Sequence, residues 1–100
     1  MSEITTKEAN ERRNSATIVD VRESEEVADG VIPGAVHIPL GQLGGRTGEL
    51  DAGRPVITVC AGGGRSARAA ADLLVAGLCA DTMAGGMSAW TAEGRPVHKP

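Results

Sequence analysis

The sequence predicts an α/β sandwich with a mostly parallel central sheet, and three observations predict it. Short β-branched or apolar runs alternate along the chain with segments of helical pattern. One hundred residues allow one domain, spanning 1–100, with a core of modest margin. Glycines and prolines fall at the junctions, where the alternation requires turns.

Taken in order, Thr5-Thr6-Lys7-Glu8 opens like a capping box, with Thr5 as N-cap, and Glu8 and Arg12 form a favourable i,i+4 pair. A first helix to about Asn14 follows, lying across a surface because it is poor in apolar residues. Ala16 to Val21 is a strand buried on both sides. Asp20 and Arg22, at its carboxyl end, stand where parallel sheets bind ligands. The reading adopted for them is that they brace loops, since nothing aims either side chain at chemistry elsewhere. Glu23 to Gly30 is acidic and forms a helical turn or two before Gly30.

Ile32-Pro33-Gly34 turns the chain into a brief strand, Ala35 to Ile38, stopped by Pro39. His37 on that strand is a candidate general base but reads better as a structural residue. His98 lies in a tail expected to be unstructured. Leu40 to Arg54 is glycine-rich and is expected to be a loop with one short helical turn. Val56 to Val59 is a buried strand of four β-branched residues.

The segment after Arg65 is a helix whose apolar face is Ala67, Ala70, Ala71 and Leu74, widened by Leu73 and stopped by Gly77. Leu78 to Met83 is a further short strand, with Cys79 read as a small core residue. Gly85-Gly86 turns into a last helix in which Trp90 packs rather than stacks on a ligand. There is no Phe or Tyr, so Val, Ile, Leu, Ala and Met must fill the core.

Charge is uneven but not extreme. Residues 1–30 carry eight acidic and four basic side chains, net −4, and residues 31–100 five and six, net +1, which sum to the overall −3. No Lys/Arg cluster or aromatic ladder points to nucleic acid. No apolar run approaches the roughly 20 residues needed to cross a bilayer. The polar start has no signal-peptide pattern, so a cytoplasmic location and free thiols at Cys60 and Cys79 are the expectation. The two His and two Cys have no metal-ligand spacing, and no metal or organic cofactor is expected.

Chemistry concentrates between strand and helix, at Cys60-Ala61-Gly62-Gly63-Gly64-Arg65-Ser66. The three glycines can take positive φ, which lets successive backbone N–H groups curl into a concave anion nest. The helix adds its first-turn N–H groups and dipole, and Arg65 adds a full charge. Such surroundings lower a thiol pKa, so the first anion to be held is the Cys60 thiolate and the second an anionic substrate above it.

Cys-x-x-Gly-x-Arg-Ser closing a strand resembles the active-site loop of the rhodanese (sulfurtransferase) family, matched by Cys60, Gly63, Arg65 and Ser66. Two further segments agree: Val19-Asp20-Val21-Arg22 with Glu26 and Gly30 to Pro39, and Ala84-Gly85-Gly86-Met87-Ser88-Ala89-Trp90. The family has a histidine where this chain has Val31. The resemblance spans nearly the whole chain and implies a rhodanese-like fold of about five strands flanked by helices on both faces. It also implies transfer of a sulfane sulfur through a Cys60 persulfide, held by backbone N–H groups from Ala61 to Ser66. Arg65 would attract the donor.

The expected partners are a small anionic sulfur donor such as thiosulfate, a cyanide or thiol acceptor, and a sulfur-relay protein. The related cysteine phosphatases and arsenate reductases have five residues between Cys and Arg. Here there are four, and the shorter ring favours a single sulfur over a phosphoryl group. A sulfur-carrier or interaction module, and a redox pair of Cys60 with Cys79, are the other readings.

Overall fold

The computed structural model describes residues 2–100. The chain runs β1 (Glu3–Ile4), α1 (Thr6–Arg12), β2 (Thr17–Asp20), α2 (Ser24–Val27), β3 (Val36–His37) and α3 (Leu40–Leu43). After a 3-10 turn (Thr47–Glu49) come β4 (Val56–Val59), α4 (Gly64–Val75), β5 (Ala80–Met83) and α5 (Gly86–Ala92). The strands form one sheet in the order β1-β5-β4-β2-β3, and each neighbouring pair is parallel. This is the predicted α/β architecture, with helices on both faces.

Every residue of β4 is buried, and its side chains alternate between two cores. Val56 and Cys60 face the layer containing Leu43 of α3 and Ala69, Ala70 and Leu73 of α4. Ile57 and Val59 face the layer containing Ala9 of α1 and Met87 and Trp90 of α5. Strand alternation therefore delivers Cys60 to the α4 side. The core does without Phe and Tyr by close aliphatic packing around Trp90. That indole is fully buried, donates from Nε1 to the Pro96 carbonyl at 2.7 Å, and has the Arg95 guanidinium 6.0 Å from its ring centre.

β4 is also the hinge of the topology. The connection from β2 leads outward to β3, whereas that from β4 leads the other way to β5. The carboxyl ends of β2 and β4 thus flank a switch point, where open parallel sheets leave a crevice.

Several expectations are corrected. β1 is a strand that the pattern did not disclose, and it pairs with β5 through Glu3–Thr82 and Ile4–Met83. Of the expected α4 face Ala70 and Leu73 are buried, but Ala71 and Leu74 are exposed and Ala67 only half-buried; Ser66 and Ala69 complete the buried face instead. The helix is rotated because Ser66 turns inward to buried hydroxyl partners. Cys79 is exposed rather than in the core, since it precedes β5 and alternates with the buried Leu78 and Ala80. The C-terminal tail is ordered through an antiparallel bridge in which Val31 and His98 exchange two backbone bonds of 2.8 Å. Between Leu40 and Arg54 there is a helical turn and, beyond it, a 3-10 turn.

Candidate active site

The chain leaves β4 at Cys60, turns at Gly63 and enters α4 at Gly64. Of the three glycines only Gly63 takes positive φ, +115°, which a residue with a side chain rarely adopts. The first turn of α5 fixes the other side of the loop. Met87 N–H donates to the Cys60 carbonyl at 2.8 Å and Ser88 N–H to the Ala61 carbonyl at 3.0 Å. With those carbonyls drawn toward α5, the loop's N–H groups turn inward, and Gly63 N–H reaches the Cys60 Sγ at 3.0 Å. Cys60 is buried, but its sulfur lies against this polar arc.

Buried hydroxyls complete the surroundings. The Ser66 Oγ is 3.4 Å from the Cys60 Sγ and donates to the Gly63 carbonyl at 3.1 Å. Thr82 Oγ1, from β5, donates to the Ser66 Oγ at 2.8 Å, and Thr58 Oγ1, from β4, donates to the Ser66 carbonyl at 2.7 Å. Burial pushes the Cys60 thiol pKa up. Hydrogen bonds from the Ser66 hydroxyl and from the N–H groups of Ser66, Gly63 and Gly62 outweigh it, and the net shift is downward.

Arg65 is held by an acidic partner. Its guanidinium makes a two-pronged ion pair with Glu26 of α2, at 2.7 and 2.8 Å, and both side chains remain about one-third exposed. Arg65 hydrogen bonding, supported by the Glu23 backbone N–H, lowers the Glu26 pKa from 4.5 to about 2. Because the folded-state pKa lies below the unfolded one, the pair contributes its full stability above about pH 4.5 and loses it as pH falls toward 2. Exposure limits that contribution to about 1 kcal/mol. Urea unfolding at pH 7 and pH 3 should therefore show a smaller acid-induced loss in Glu26→Gln than in the parent. Equal losses would mean that the pair carries no stability.

The remaining polar residues near the switch point act as braces. The Arg22 guanidinium binds the Asp20 carboxylate at 2.8 Å and the Gly30 carbonyl at 2.7 Å, tying the end of β2 to the segment after α2. His37 Nε2 is 2.7 Å from the Arg22 carbonyl, which matches its structural reading. Beside Ala61 lies an open groove of about 220 Å³, walled by Arg22, Asp29 and Gly30 on one side and by Met87, Ser88 and Thr91 on the other. Among the described residues no three His, Cys, Asp or Glu side chains are grouped to hold a metal ion.

Cys79 takes no part in this site. Parallel pairing of Val56 with Ala80 sets Cys79 level with Pro55, five residues before Cys60 along the strand direction. At about 3.3 Å per residue the two cysteines are roughly 16 Å apart, too far for a disulfide. That separation removes the redox-pair reading.

The structure brings Cys60, Gly62, Gly63 and Ser66 together around one sulfur, and it places Arg65 against Glu26 at the rim. Sequence reasoning missed Thr82, and it missed that Gly86 packs so closely on the loop that a Cβ there would fall 2.4 Å from the Cys60 and Ala61 carbonyl oxygens. The one available signal for Gly86 was the double glycine itself.

Fold and site together define a class: an α/β domain with a polarised cysteine in a strand-to-helix amide loop at a switch point. The chain belongs to the rhodanese-like domain family, whose model matches residues 5–93. It is 37% identical over 92 residues to YtwF of Bacillus subtilis, a protein with a provisional sulfurtransferase name, covering 92% of this chain and 89% of that one. It is 34% identical over 84 residues to a protein of Allochromatium vinosum named sulfurtransferase, covering 83% and 78%. The crystal structure of a rhodanese-related protein from Thermoplasma volcanium superposes with a TM-score of 0.95 at 31% identity, covering all of both chains. The two sequence relatives thus carry sulfurtransferase names, and the structural match is a rhodanese-related protein.

Proposed function

We propose that this domain transfers a sulfane sulfur from thiosulfate, or a similar anionic donor, to cyanide or a thiol by double displacement at Cys60. The Cys60 thiolate attacks the outer sulfur of the donor, a new S–S bond forms, and the donor's own S–S bond breaks. Sulfite leaves with the electron pair, and Cys60 carries a persulfide. The acceptor anion then attacks the outer persulfide sulfur and departs as thiocyanate or a new persulfide, returning the thiolate. Atoms and electrons balance with no further reagent.

The observation that carries this reading is the Cys60 Sγ held by the Gly63 N–H and the Ser66 hydroxyl inside a loop with only four residues between Cys60 and Arg65. Donors fixed in advance stabilise negative charge on sulfur without reorganisation. Arg65, shared with Glu26 but still partly exposed, would draw the anionic donor to the rim. The groove beside Ala61 offers room for the organic part of a thiol acceptor or for a protein partner's side chain.

Mass spectrometry after exposure to thiosulfate tests the reading. One added sulfur on Cys60, removed again by cyanide, is expected, with no phosphate released from an aryl phosphate in parallel. Phosphate release without sulfur loading would overturn it in favour of a phosphatase.

A further inference from the structure

We infer that Thr82, a β5 residue outside all three motif segments, is a positioning residue that reserves the Ser66 hydroxyl hydrogen for an anion on the Cys60 sulfur. This role presupposes Cys60 as the nucleophile, as proposed above. Each hydroxyl has one hydrogen to give. Thr58 Oγ1 gives its hydrogen to the Ser66 carbonyl, with the Asp81 carbonyl farther off at 3.3 Å. Thr82 is 1% exposed, and the one bond its Oγ1 donates goes to the Ser66 Oγ.

Were Ser66 to donate to Thr82 instead, the Thr82 hydrogen would be buried without an acceptor, at a cost folded proteins avoid. Thr82 must therefore donate, which leaves the Ser66 hydrogen two destinations: the Gly63 carbonyl at 3.1 Å or the Cys60 sulfur, 3.4 Å from the Ser66 Oγ. With a neutral thiol the S–H points at the Ser66 Oγ and the Ser66 hydrogen rests on Gly63. When the proton leaves the sulfur, the Ser66 hydrogen swings to it. The bond from Thr82 persists in both states and polarises the Ser66 hydroxyl as a stronger donor.

The charged groups around Cys60 are unaffected by a change at Thr82. They are Arg65 on α4, Glu23 and Glu26 at α2, the Asp20–Arg22 pair at the end of β2, and Asp81 on β5, whose carboxylate is engaged by Arg12. α5 presents no ionisable side chain. Thr82→Val keeps the β-branched shape suited to β5 and removes only the hydroxyl, whereas Thr82→Ser keeps the donor.

The test is the rate of Cys60 alkylation by iodoacetamide as a function of pH, in a Cys79→Ser background so that a single thiol reports. Thr82→Val should move the midpoint to higher pH, lower the rate below it roughly two- to tenfold, and leave the high-pH plateau unchanged. Thr82→Ser should restore the parent profile. Superimposable profiles for Thr82→Val and parent, or a serine variant as impaired as the valine one, would overturn the inference. A parent in which Cys60 is not alkylated at any pH would instead overturn the nucleophile assignment itself.

Discussion

Replacement of Cys60 by serine is expected to lower sulfur transfer from thiosulfate to cyanide by on the order of 10³-fold or more, a loss typical of a deleted nucleophile. Serine fits the space and can still accept from Gly63 N–H, so the fold should persist by circular dichroism. What disappears is the chemistry. A serine hydroxyl stays protonated where a polarised thiol ionises, and an oxygen–sulfur adduct is no substitute for a persulfide. Cys79→Ser, roughly 16 Å from the loop by strand register, should retain the parental rate. Near-parental transfer by the Cys60 variant would move the nucleophile elsewhere.

The second large effect is expected from a residue with no reactive group. A Cβ on Gly86 would fall 2.4 Å from the carbonyl oxygens of both Cys60 and Ala61, at a φ of +58°. Left-handed backbone strain and overpacking each cost about 1–3 kcal/mol, so Gly86→Ala should lose roughly 2–6 kcal/mol in urea unfolding. Relief requires α5 to back away, and that breaks the bonds from Met87 and Ser88 that draw the loop carbonyls outward. Activity should therefore fall more than stability alone explains, even where the variant remains folded. Gly48→Ala is the comparison, because its Cβ meets nothing within 4 Å and its φ is not positive. Equal stability of the two variants would show that the close approach to Cys60 and Ala61 carries no strain.

Most of the architecture was legible because its signals are local. Four β-branched residues ending in a cysteine, glycines and a small-residue helix fix the strand, turn and helix around Cys60 without reference to the rest of the chain. The phase of α4 was only partly legible, Ala70 and Leu73 being buried as expected, because Ala67, Ala69, Ala70 and Ala71 offer nearly equivalent apolar faces. A polar residue, Ser66, decides it through bonds made across the sheet. Thr82 escaped for the same reason: a threonine in a strand reads as β-propensity until its neighbour from another element is known. β1 has only two residues, too few to show any period, and it exists because β5 offers an edge. Glu26 was recognisable as part of a motif, but its grip on Arg65 spans 39 positions of sequence.

The scarcity of aromatic residues has a practical consequence. Trp90 is the only tryptophan, with no tyrosine or phenylalanine to compete, and it sits one turn along the helix whose opening amides grasp Cys60 and Ala61. Its emission is thus a built-in optical gauge of the cradle around Cys60, readable without a label.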